Sequence, residues 1–125
     1  MKKLNVTEIQ EKPEGFVASV KEELNVELAR TLKAGNRMLV DSDGLAFIYI
    51  IEDELDYYYV SFGKGTWPSL KKLLANQGSL DLELGNSLNI ELTAIADELA
   101  FLTENIEGNS NYGEEMEKAV SDIFL

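Results

Sequence analysis

Three apolar runs separated by short polar turns occupy Arg37 to Trp67, RMLVDSDGLAFIYIIEDELDYYYVSFGKGTW. Leu45 to Ile51 is apolar at every position, so as a strand it presents nonpolar side chains to both faces of its sheet. That pattern predicts a strand covered on both sides, either by helices or by helices on one face and a partner on the other. Asp56 to Phe62 is aromatic and β-branched, which suits a pleated, half-buried surface. The stretch reads as a meander: a short strand at Arg37–Asp41, a turn at Ser42–Gly44, the central strand, a turn at Asp53–Leu55, and a third strand.

Upstream, Leu4 to Gln10 alternates loosely, Pro13-Glu14-Gly15 turns, and Phe16, Ala18 and Val20 share one face. Residues 3–22 therefore predict a β-hairpin, placed at the sheet edge because its outer face is polar. From Asn25 the spacing becomes helical, with Leu24, Leu28 and Leu32 in phase, Asn25 as cap and Gly35-Asn36 as stop, giving a helix over about 26–34. Downstream, Thr66 reads as an N-cap for a helix carrying Trp67, Leu70, Leu73 and Leu74 on one stripe, closed by Gly78. Leu80, Leu82 and Leu84 alternate with acids as a one-face strand, and a turn at Gly85-Asn86-Ser87 leads to a further short strand. Ile95, Leu99, Leu102 and Ile106 then mark one helix, and Met116, Ala119, Val120 and Ile123 another from about Tyr112 to Phe124. Phe101 lies off the first stripe. The second helix is expected to cover it; the alternative is a dimer or partner contact. The fold class expected is α+β: a mostly antiparallel sheet of about five strands, with the meander at its centre, packed by three to four helices.

Composition narrows the chemistry. The chain of 125 residues reads as a single domain, residues 1–125, and contains neither cysteine nor histidine. No disulfide framework can form, the usual zinc, iron–sulfur and haem ligand sets are missing, and acid–base and nucleophilic catalysis lose their commonest participants. No metal site and no cofactor is expected, and no Ser-x-x-Lys or Gly-x-Ser-x-Gly arrangement appears. An enzyme is unsupported. Without a signal-peptide core or a membrane-length apolar run, a cytoplasmic protein with no membrane association is expected.

Charge changes the picture more. The net charge is −12, and residues 81–125 hold eleven acids against Lys118 alone. That end repels phosphates, so nucleic acid is not expected as a partner there; it suits a basic protein surface or a cation, or serves as a solvated acidic face. Asp41-Ser42-Asp43-Gly44 resembles the start of a calcium loop, but Leu45 and Ala46 stand where an oxygen ligand and a sharp-turn glycine are needed. A turn bonded to its own backbone is expected instead. Lys64, Gly65 and Thr66, between a strand and a helix start, form a weak anion-binding candidate that lacks P-loop spacing. Glu107 to Gly113 is the most polar loop. Its Asn109, Asn111 and Tyr112, with Phe101, are the candidate partner contacts, although turn closure alone accounts for the loop.

The blocks RMLVDSDGLAFIY and GNSNYGEEMEKAV, with Trp67 between them, resemble the YjbL-like family of uncharacterised proteins from Firmicutes over residues 25–124. MLVDSD and N-x-N-Y-G are the specific parts. The resemblance implies a cytoplasmic bacterial setting and assigns no activity, substrate or catalytic residue. Two functions stand against each other. One is a non-enzymatic interaction module whose acidic C-terminal helices and Phe101 meet a basic partner or a second copy of the chain. The other is a small-molecule or anion-binding protein, an enzyme among its forms, using the loop before Trp67.

Overall fold

The computed structural model describes residues 2–85 and 88–125, and of Ser110 the backbone alone. Asn86 and Ser87 of the expected turn lie outside the described residues. The strands are β1 (Lys2–Lys12), β2 (Gly15–Val20), β3 (Lys33–Asp41), β4 (Ala46–Glu52), β5 (Tyr57–Gly63), β6 (Leu80–Glu83) and β7 (Asn89–Glu91). The α-helices are α1 (Val26–Thr31), α2 (Trp67–Asn76), α3 (Ile95–Ile106) and α4 (Glu114–Phe124).

The meander forms as antiparallel β3, β4 and β5, but at one end of the sheet with β3 on its edge, not at the centre. The rest of the sheet corrects the expectation. It is mixed rather than mostly antiparallel, with seven strands in the order β3-β4-β5-β1-β2-β6-β7, curled into a half-barrel. β1 pairs in parallel with β5 and β2 in parallel with β6. The N-terminal hairpin is therefore the middle of the sheet, not its edge. Alternation in sequence fixes which face a side chain takes and not which strand lies alongside, so parallel pairs made across long connections leave no local trace. A register shift between Val6 and Glu8 also breaks the phase of β1, which explains its loose alternation.

A second irregularity separates Ala34 from Met38 in β3. Gly35 and Asn36 lie here, inside a strand rather than at a helix end. Asn36 has φ 59°, and a Cβ on Gly35 would stand 2.6 Å from the Ile50 carbonyl oxygen. Glycine is required at that approach. Helix α1 consequently ends at Thr31, three residues short of its predicted limit. Its predicted cap holds: the Asn25 side chain accepts from the Glu27 amide at 2.8 Å.

Phe47, Tyr49 and Ile51 of β4 point to the inner face, where all four helices contribute to one core. There Phe47, Trp67 and Phe124 meet with ring centroids 5.0 to 5.9 Å apart. The Trp67 indole N–H donates to the Phe62 carbonyl at 3.0 Å, which fixes the start of α2 against the end of β5. No helix among the described residues is long and apolar enough to cross a membrane.

Candidate interaction surfaces

The half-barrel is held closed by a polar clasp between its two ends. Tyr49 is fully buried, and its hydroxyl donates to the Thr93 carbonyl at 2.6 Å and accepts from the Asn36 amide at 3.2 Å. The Thr93 hydroxyl donates to the Asn36 side-chain oxygen. One turn into α3, Glu98 accepts from the Met38 amide at 3.2 Å. Burial pushes the Tyr49 hydroxyl above the usual tyrosine range, against the pull of its bonds to Thr93 and Asn36. These bonds occupy two amides of β3, an edge strand, and so blunt its capacity to pair with another strand.

Beside the clasp, the C-terminal end of α2, the end of β7 and the first turns of α3 enclose a groove of about 420 Å³. Leu74, Leu92, Ala96 and Ala100 supply the apolar part of its walls, Gln77 and Ser79 add polar groups, Glu91 and Asp97 are its charged groups, and no lysine or arginine lines it. Phe101 follows Ala100 and lies one turn beyond Asp97 on α3, outside the groove's lining. It is 60% exposed, so α4 does not cover it. That overturns the expectation that the last helix shields this ring.

Asn109, Asn111 and Tyr112 do not line this groove. The Asn109 side chain accepts from the Asn111 amide at 3.0 Å, and Tyr112 is half-buried against the core. Among the sequence-predicted partner contacts, Phe101 is exposed one turn from the groove's Asp97, and Asn109 and Asn111 close a turn. Lys64, Gly65 and Thr66 form a 3₁₀ turn leading into α2. The Thr66 hydroxyl donates to the Gly63 carbonyl at 2.7 Å and makes no cap bond to the helix. At the calcium-like sequence, the Asp41 carboxylate accepts from the Gly44 amide at 3.0 Å, closing a turn. Among the described residues no three histidine, cysteine or acidic side chains converge in a metal-binding group.

The sheet's outer face carries a surface that sequence reasoning predicted only in outline. Ala46, Ile48 and Ile50 point outward and are 3%, 6% and 3% exposed. They form a cluster of their own with Tyr59, and no helix residue joins it. Leu39 and Tyr57 flank the cluster and remain about half exposed, with the Arg37 guanidinium carbon 5.3 Å from the Tyr57 ring centroid. A shallow groove of about 260 Å³ runs between Lys3 and Asp41 over Leu39, Ile48 and Tyr59. Strand β4 is thus buried on both faces, by helices on one side and by its neighbouring strands' side chains on the other.

A model of UPF0738, a family of unknown function, matches residues 4–124. A UPF0738 protein of Shouchella clausii is 43% identical over 99% of this chain and 100% of its own length. One from Halalkalibacterium halodurans is 40% identical over 99% of this chain and 98% of its own, and one from a Geobacillus species is 48% identical over 72% of each. No solved structure matches the chain. The chain belongs to UPF0738, so the family is an uncharacterised one of Firmicutes as the resemblance implied, under a different name from the YjbL-like one.

Proposed function

We propose that this UPF0738 protein is a non-enzymatic interaction module that docks a cationic, partly apolar segment of another protein in the groove beside α3. The observation that carries the reading is a groove of mixed polar and apolar lining whose charged groups, Glu91 and Asp97, are both acidic, with Phe101, 60% exposed, one turn beyond Asp97 on α3. Exposed aromatic rings anchor interfaces, and carboxylates around them select lysine and arginine and speed encounter. The acidic balance of residues 81–125 adds a long-range attraction to the same side chains. A cytoplasmic setting is part of the proposal and suits a chain without cysteine.

The anion-site alternative is not carried forward. Lys64 and Gly65 are exposed, and the described cavities take their walls from other residues. The test is fluorescence anisotropy with a labelled peptide of alternating lysine and leucine, and a glutamate-for-lysine peptide as control. We expect the cationic peptide alone to bind, Phe101→Ser and Asp97→Lys each to weaken it at least about tenfold, and added salt to weaken it further. Equal binding by wild type and both variants, or by both peptides, contradicts the proposal.

A further inference from the structure

We infer that the polar clasp is the positioning device of the α3 groove: Tyr49 and Glu98, which do not line the groove, hold its α3 wall in place. Such control presupposes the docking role proposed above and names what governs it. The two walls of the groove are fixed by different means. At the α2 wall, the Gln77 and Gly78 amides donate to the Leu74 and Leu73 carbonyls, so that helix closes on its own backbone. The Ser79 carbonyl then accepts from the Phe16 amide at 2.9 Å, which ties the same wall into β2.

The α3 wall has no closure of its own. Ala94 precedes the helix, its side chain cannot cap, and its φ of 64° is left-handed. Alanine adopts that conformation only at an energetic cost, so contacts from outside the helix must hold it there. They come from the meander. Tyr49 donates to the Thr93 carbonyl at 2.6 Å, immediately before Ala94. Glu98 accepts from the Met38 amide at 3.2 Å, one turn later. Between these two anchors lie Ala94, Ile95, Ala96 and Asp97, and all four line the groove. Anchor and wall thus share a single turn, and β3 and β4 set the separation of the two walls.

Coupling follows in both directions. If opening the clasp lowers the groove's affinity, a segment bound in the groove opposes opening by the same factor. The Asn36 and Met38 amides report on the clasp, because they donate to the Tyr49 hydroxyl and the Glu98 carboxylate. The Gly44 and Asp56 amides are matched controls. They also donate to side chains, those of Asp41 and Asp53, in turns outside the clasp.

The test pairs anisotropy, using the alternating lysine–leucine peptide, with amide hydrogen exchange of the free and peptide-bound protein. Tyr49→Phe changes no charge and is expected to weaken peptide binding about five- to tenfold. Glu98→Ala is expected to do the same. Glu98→Gln keeps an acceptor oxygen without the charge and should restore binding to within about twofold. Phe124→Ala trims the aromatic cluster outside clasp and groove, and so controls for lost stability; it should leave affinity unchanged. In the wild type, saturating peptide should slow exchange at Asn36 and Met38 about five- to tenfold and leave Gly44 and Asp56 unaltered. A peptide that does not bind the wild type overturns both the docking role and the positioning role. Binding that Phe101→Ser and Asp97→Lys weaken, but Tyr49→Phe and Glu98→Ala do not, overturns the positioning role alone. So does a Glu98→Gln variant as weak as Glu98→Ala, an equal loss in Phe124→Ala, or unchanged exchange at Asn36 and Met38.

Discussion

The two faces of the sheet are equally apolar along β4 and are used differently. On the inner face Phe47, Tyr49 and Ile51 are wholly excluded from water by side chains from helices distant in sequence. On the outer face Ala46, Ile48 and Ile50 reach nearly the same exclusion with only Tyr59 and strand neighbours over them. The same degree of burial thus has two meanings. Inside, it is a finished core that fixes the fold; outside, it is a thin cover whose shoulders, Leu39 and Tyr57, still meet solvent.

The largest effect that separates the faces is expected at the inner aromatic cluster. Trp67→Ala removes a fully buried ring, its contacts with Phe47 and Phe124 and its bond to the Phe62 carbonyl. It should destabilise the protein by about 3–5 kcal/mol in urea unfolding. If the loss is within about 0.5 kcal/mol, the inner face is not the seat of stability.

The clasp comes next. Tyr49→Phe leaves the Asn36 amide and the Thr93 carbonyl without their partner and should cost about 1–3 kcal/mol. The sign of the pH dependence follows from the raised value of this hydroxyl. The folded state keeps the Tyr49 proton at pH values where the unfolded chain has released it. This contribution is complete below the ordinary tyrosine value of about 10 and is lost as pH rises through the raised folded value. Thermal denaturation between neutral and strongly alkaline pH should therefore show an alkaline fall in the wild type that is smaller in Tyr49→Phe. Equal falls in both proteins would remove Tyr49 from the account.

Much of this was legible in the chain. The meander, the Trp67 helix and the two C-terminal helices follow their periodicities, and the Asp41 and Asp53 turns close as their residue types imply. Strand neighbours were not legible, because β1 finds β5 across more than forty intervening residues and its bulge hides its phase. Gly35-Asn36 misled for a physical reason: a glycine followed by a residue in the left-handed region suits a helix stop and a strand bulge alike. The clasp had one faint signal. Tyr49 is the single polar-tipped side chain in LAFIYII, and a buried hydroxyl needs partners. Phe101 stood out as off-stripe, but Glu91 and Asp97 could not be distinguished among eleven C-terminal acids until the fold set them beside one groove.

The most direct test of the contrast between the faces is the methyl NMR spectrum of isoleucine- and leucine-labelled protein with a soluble paramagnetic agent. We predict that the agent broadens the methyl signals of Leu39, which is 46% exposed, strongly while those of Ile51, Leu99 and Ile106, which are wholly buried, stay sharp. Signals that stay sharp throughout, or that broaden on both faces alike, would contradict the account.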